Sequence, residues 1–128
     1  MKSTIKILIV LMVMTMVLVS CGGDSTSDYE TITAEEAKEL MIEGNIILDV
    51  RTQMEYDTGY IEGATLLPLD QIVNGEVDIL SDKDQVILVY CRSGNRSAQA
   101  SKALAELGYT NIKDFGGVIS WPYDLVTD

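Results

Sequence analysis

Apolar and polar residues follow two different periods along this chain, and the changes from one to the other mark its elements. Unbroken apolar runs at 46–50, interrupted only by Asp49, and at 86–90 have the character of strands covered on both faces of a sheet. Shorter strands fit 29–32, 64–67 (stopped by Pro68) and 111–115. Thr33 followed three residues later by Glu36 makes a capping box that opens a helix to about residue 42, with Gly44 as its stop. A short helix is expected over 52–58. An irregular one is expected over 69–80, where Leu69, Ile72, Val73 and Leu80 give an apolar face that Asn74-Gly75 interrupts. From Ser97 a helix presents Ala100, Ala103, Leu104 and Leu107 on one stripe and stops at Gly108. Gly116-Gly117 then turns the chain, and 118–121 packs back with Trp121 in the core. Five short strands alternating with helices predict an α/β fold, a mostly parallel sheet flanked by helices, with ligands at the carboxyl ends of the strands. Asp49, set inside an apolar strand, needs a buried partner.

The first residues follow neither period. Lys2 and Lys6 precede an apolar run over 7–19, broken only by Thr15, which has the layout of a targeting segment and is shorter than the roughly 20 residues of a membrane helix. Leu18-Val19-Ser20-Cys21 resembles the lipobox of bacterial lipoproteins. That resemblance implies a signal peptide at 1–20, cleavage before Cys21 and acyl chains on it. The small polar stretch that follows would make 21–30 a lipidated cysteine and flexible tether, leaving 31–128 as the folded domain. The expected location is outside the cell, lipid-anchored to the outer face of the cell membrane or to the periplasmic side of an envelope membrane. An ordinary secretory signal, or a short uncleaved anchor, is the plainer alternative.

A length of 128 residues suits one domain with a modest core. The net charge is −11, and after Cys21 the 20 acidic residues face only 7 basic ones, which disfavours nucleic acid as a partner. The chain has no histidine, so Cys-His and Ser-His-Asp mechanisms and histidine-containing zinc sites are excluded. No metal or organic cofactor is implied. With Cys21 lipidated, Cys91 is the remaining thiol and no intrachain disulfide can form.

Candidate chemistry concentrates at Cys91-Arg92-Ser93-Gly94-Asn95-Arg96-Ser97, between the apolar run and the alanine-rich helix. A thiol at a strand-to-helix junction faces the unpaired N–H groups and the positive end of the helix dipole, which stabilise a thiolate, and two arginines reinforce that. Gly94 suits a loop that must curl so that its N–H groups converge. A lone cysteine is also a common small hydrophobe at the end of a buried strand.

This segment resembles the active-site loop of single-domain rhodaneses, sulfurtransferases that carry a sulfane sulfur as a cysteine persulfide. Two further blocks resemble that family in the same order. They are Leu48-Asp49-Val50-Arg51 with Glu55-Tyr56 and Gly59-Tyr60-Ile61-Glu62-Gly63-Ala64, then Gly116-Gly117 with Trp121. The resemblance implies a rhodanese-like fold, Cys91 as nucleophile and Arg92 to Ser97 as the loop that binds substrate. It also implies transfer from thiosulfate or a similar donor to a thiol or cyanide acceptor, by a monomer. Asp49 and Arg51 are expected to support the loop, Asp49 as an acceptor rather than a base. Arg96 is expected to fix loop shape and Arg92 to face incoming anions. Ser93 and Ser97 are expected only to line or cap the loop and helix, Ser97 lying near the helix start, where a hydroxyl satisfies free N–H groups. Tyr60 departs from the family, which usually has histidine there. Cysteine-based phosphatases, which resemble rhodaneses, place the arginine six positions after the cysteine; here it is five, at Arg96. A phosphatase or arsenate reductase is the distant alternative. A domain that binds sulfide or a partner without turnover is the nearer one.

Overall fold

The apolar runs at 46–50 and 86–90 lie side by side in the middle of one sheet in the computed structural model, which describes residues 28–128. The targeting segment, Cys21 and all but the end of the tether lie outside the described residues. In chain order the elements are β1 (Glu30–Thr31), α1 (Ala34–Ile42), β2 (Ile46–Asp49), α2 (Gln53–Asp57), β3 (Thr65–Leu66), α3 (Leu69–Val73), β4 (Val86–Cys91), α4 (Asn95–Glu106), β5 (Asn111–Gly117) and a 3-10 turn (Val118–Ser120). The strand order is β1-β5-β4-β2-β3, and every neighbouring pair is parallel. The mostly parallel sheet expected from the sequence is therefore wholly parallel.

Local chemistry sets the boundaries. The Thr33 hydroxyl accepts the Glu36 N–H at 3.1 Å and starts α1. The full reciprocal capping box forms elsewhere, at α2. There Thr52 Oγ1 accepts the Glu55 N–H at 3.3 Å while Glu55 Oε1 accepts the Thr52 N–H at 3.4 Å. Helix α4 begins at Asn95, two residues before the expected Ser97, because Gly94 caps it in the left-handed region at φ 102°. Strand β4 runs one residue past the expected end and takes in Cys91.

Side-chain alternation along the central strands divides the core between the two faces of the sheet. On one face Leu48, Ile87, Val89 and Cys91 pack with Ile72 of α3 and Ala100 and Leu104 of α4. On the other, Ile47, Leu88 and Tyr90 pack with Ala37 of α1, Phe115 and Trp121. The chain then returns along the end of the sheet, where Tyr60 and Val126 exchange backbone hydrogen bonds of 2.9 and 2.8 Å in an antiparallel bridge. No helix among the described residues is long and apolar enough to cross a membrane.

Asp49 finds its partners two residues along the chain and across to β4. Its carboxylate accepts Arg51 Nε at 3.0 Å, Arg51 Nη2 at 2.7 Å, the Arg51 backbone N–H at 3.0 Å and the Tyr90 hydroxyl at 2.8 Å. Arg51 Nη2 also donates to the Gly59 carbonyl at 2.8 Å, and the Tyr90 oxygen accepts the Ile61 N–H at 3.1 Å. All three side chains are buried. Burial, then the Asp49 charge, hold the Tyr90 phenol above its ordinary value, so it remains a donor. Tyr90→Phe deletes that donor and leaves the Ile61 N–H without its acceptor. It should cost about 1–3 kcal/mol. The check is urea denaturation, with a lower midpoint and an unchanged slope.

Candidate active site

Cys91 closes β4 with its side chain on the α4 face of the sheet, and the residue is 0% exposed. Pairing between β4 and β5 is regular from Val86↔Asn111 to Val89↔Asp114 and then slips, so that Cys91 lies opposite Gly117. Such a slip re-aims the last side chain of a strand. The Gly94 N–H, at the start of α4, donates to Cys91 Sγ at 3.0 Å. The sulfur thus sits where the sequence placed it, at the mouth of the helix dipole.

The Arg92 carbonyl accepts the Ile119 N–H at 3.1 Å, which ties the loop to the turn after β5. Gly117 makes this possible by its lack of a side chain, since a Cβ there would lie 2.0 Å from the Arg92 oxygen. Its neighbour Gly116 has the turning role, at φ 90°, and the buried Asp114 fixes it by accepting the Gly116 N–H at 2.9 Å. The two glycines expected simply to turn the chain therefore do different things. Of the two roles open to Ser97, lining the loop or capping the helix, it takes the first. Its hydroxyl donates to the Gly94 carbonyl at 3.0 Å, from inside the first turn of α4, whose N-cap position is Gly94. Ser93 and Asn95 are exposed on the loop.

The two loop arginines part company. Arg96 Nη1 and Nη2 donate to Glu55 Oε1 and Oε2 at 2.7 and 2.8 Å, a forked pair that joins α4 to α2. Arg92 is exposed and, among the described residues, forms no ion pair. Arg51 and Asp49 stand behind the loop as one buried pair. Arg51, Glu55 and Arg92 also line an open groove of about 460 Å³ with Met54, Thr58, Gly59, Val118, Ile119 and Leu125. A larger cavity, about 700 Å³, lies between α1 and 121–126 and borrows no residue from the Cys91 loop. Among the described residues no cluster of three Cys, Asp or Glu is placed to hold a metal ion.

Sequence reading did not single out Glu55, Asp114 or Tyr90 as parts of this site. Glu55 left a trace, three residues after Thr52, but only the fold brings it to Arg96. Tyr90 gave no signal, because its partner Asp49 is distant along the chain; Asp114 bonds locally, to the Gly116 N–H two residues on, and gave none either.

The sequence profile of the Rhodanese-like domain matches residues 33–121. The thiosulfate sulfurtransferase PspE of Escherichia coli is 34% identical over 71 residues, covering 56% of this chain and 68% of that protein. A probable adenylyltransferase/sulfurtransferase of Mycobacterium tuberculosis, MoeZ, is 32% identical over 101 residues, covering 77% of this chain but 26% of that protein. In structure, a rhodanese-related protein from Thermoplasma volcanium aligns with a TM-score of 0.67 and 31% identity, over 78% of this chain and all of the other.

The forked pair carries a pH signature. The Arg96 hydrogen bonds hold the Glu55 carboxyl down from an ordinary 4.5 to about 2. A lowered folded-state value stabilises the fold above pH 4.5, and that contribution fades as pH falls toward 2. The stability gap between wild type and Glu55→Gln should be constant above pH 5 and close progressively from 4.5 to 2. Denaturation of both proteins across that range tests it; a gap independent of pH would remove the pair from the account.

Proposed function

The chain belongs to the rhodanese-like domain family, and from that premise we propose that it is a sulfurtransferase whose Cys91 carries the transferred sulfur as a persulfide. The observation that carries the reading is the placement of Cys91. Its sulfur ends the central strand β4, accepts the Gly94 N–H at 3.0 Å and lies under a loop with one arginine paired to Glu55 and the other exposed. Several relatives, PspE among them, are named thiosulfate sulfurtransferases, which supports a sulfane anion as donor.

In the first step the Cys91 thiolate attacks the outer sulfur of thiosulfate. A Cys91–sulfur bond forms, the sulfur–sulfur bond of the donor breaks, and sulfite leaves with its electron pair. In the second, an acceptor thiolate or cyanide attacks the outer sulfur, and the Cys91 thiolate is released. Anions enter or leave at each stage, so fixed N–H dipoles and Arg92 lower both barriers without a proton carrier. Arg96 acts differently, because Glu55 neutralises its charge; it holds the start of α4, and so the Gly94 N–H, at the sulfur. The spacing of five from Cys91 to Arg96 favours a ring around one sulfur atom over the phosphatase alternative.

Purified full-length protein given thiosulfate should gain the mass of one sulfur atom, and Cys91→Ser should gain none. Failure to load from any sulfane donor would leave the non-turnover reading standing. Arg96→Ala should lower kcat by about 10²-fold and Arg92→Ala should mainly raise KM for the donor. Equal effects on kcat would refute that division of labour.

Export and lipid attachment at Cys21 are proposed on the pattern of Lys2, Lys6, the apolar run 7–19 and the Leu18-Val19-Ser20-Cys21 box. The domain would work as a monomer on a tether shorter than expected, at most the eight residues 22–29 because Glu30 already belongs to β1, with an r.m.s. reach of roughly 16 Å. Cys21→Ser should abolish fatty-acid labelling and either block processing or release the protein from the membrane fraction. Attachment and processing unchanged in that variant would make the apolar run the anchor.

A further inference from the structure

Three large apolar side chains gather at the groove beside the Cys91 loop although nothing among the described residues covers them. Met54 is 80% exposed, Ile119 66% and Leu125 41%. They come from α2, the turn after β5 and the C-terminal segment, three separate parts of the chain. Each is held there by a contact of its own. The Ile119 N–H is bonded to the Arg92 carbonyl, the capping box fixes α2 under Met54, and the Tyr60–Val126 bridge sets the segment that carries Leu125. The exposed charge at this groove is Arg92, since Arg51 and Glu55 are already paired with Asp49 and Arg96.

An anionic donor such as thiosulfate has no use for apolar walls, and neither has a small hydrophilic thiol. A groove of about 460 Å³ is the size of a short peptide segment. Cys91 itself is fully buried, so a persulfide sulfur has to be met by a thiol that reaches past the rim. A cysteine side chain on an extended segment can do this while its neighbours rest on Met54, Ile119 and Leu125 and its thiolate faces Arg92. The chain's net charge of −11 repels acidic partners and favours neutral or basic ones at long range.

We propose that this groove selects the sulfur acceptor, and that the acceptor is an exposed cysteine of another protein, flanked by large apolar residues in a neutral or basic segment. Met54, Ile119 and Leu125 are the specificity-determining residues. This rests on the sulfurtransferase reading above and adds the acceptor class to it.

The test separates the two half-reactions. Full-length protein is loaded with thiosulfate, freed of donor, and mixed with blocked pentapeptides that carry a central cysteine between two leucines or between two glycines, each with one lysine or one aspartate. Loss of the added sulfur mass gives the discharge rate per loaded Cys91. The leucine peptides should discharge wild type about tenfold faster than the glycine ones, the scale of discrimination one apolar contact provides, and the lysine forms should outrun the aspartate forms. In the Met54→Ser, Ile119→Ser double variant the leucine preference should shrink to about twofold or less. Both side chains are exposed, so neither change threatens the core. Val73→Ser, an exposed apolar residue on α3 outside this groove, should keep the full preference. A protein that never loads overturns both readings. One that loads but discharges leucine and glycine peptides alike, or whose preference survives the double variant, overturns the acceptor proposal alone.

Discussion

A single buried carboxylate, Asp49, ties together the parts on which the Cys91 loop is built. Placing an ion of that size in a protein interior costs several kcal/mol, and the cost is offset only when its lone pairs are filled with good geometry. Asp49 achieves this with donors from its own strand and from β4, through Arg51 and Tyr90. Each donor in turn reaches the segment after α2, Arg51 at the Gly59 carbonyl and Tyr90 at the Ile61 N–H. The network therefore fixes the residue before Cys91, the end of β2 and the Gly59–Ile61 turn as one body. Loss of Arg51 or Asp49 alone would leave a buried charge uncompensated, which is far more harmful than loss of the whole set.

Upon that base the loop divides its positive charge. In a chain of net charge −11 a guanidinium near the sulfur is readily claimed by a carboxylate, and Arg96 is claimed by Glu55. The pair converts a charge into a strut between α2 and α4. Arg92 keeps its charge because its backbone carbonyl, not its side chain, is what the fold needs: the Ile119 N–H and the missing Cβ of Gly117 hold it in place. One arginine serves shape and the other serves electrostatics. The proposed sulfur transfer would draw on both, since a fixed N–H at Sγ is useful only while the loop holds its curvature.

How much of this could be read from the sequence depends on the range of each interaction. The strands at 46–50 and 86–90, the parallel sheet and the Cys91 loop were legible because apolar runs and a strand-loop-helix junction are local signals. Helix α4 began two residues early for a reason equally local in principle, the left-handed Gly94, but a loop glycine does not announce whether it precedes or caps the helix. The roles of Ser97, Gly117, Glu55 and Asp114 could not be read at all. Gly117 is set by the Arg92 carbonyl and Glu55 meets Arg96 only in the fold, while Ser97 and Asp114 bond locally, to Gly94 and Gly116, in a loop geometry that residue type alone does not declare.

Tyr60 shows what a departure from a familiar pattern can mean once its surroundings are known. Its ring stacks on Tyr56 at 4.1 Å with only 5° between the planes, its backbone pairs with Val126, and its hydroxyl donates to Asp128 at 2.5 Å. None of these contacts involves the sulfur or the loop. They act on the C-terminal segment, and Leu125, which that segment carries, touches the groove and would meet a Cβ on Gly59 at 3.5 Å. The tyrosine therefore bears on the wall that an acceptor would meet and leaves the charges around Cys91 as they are.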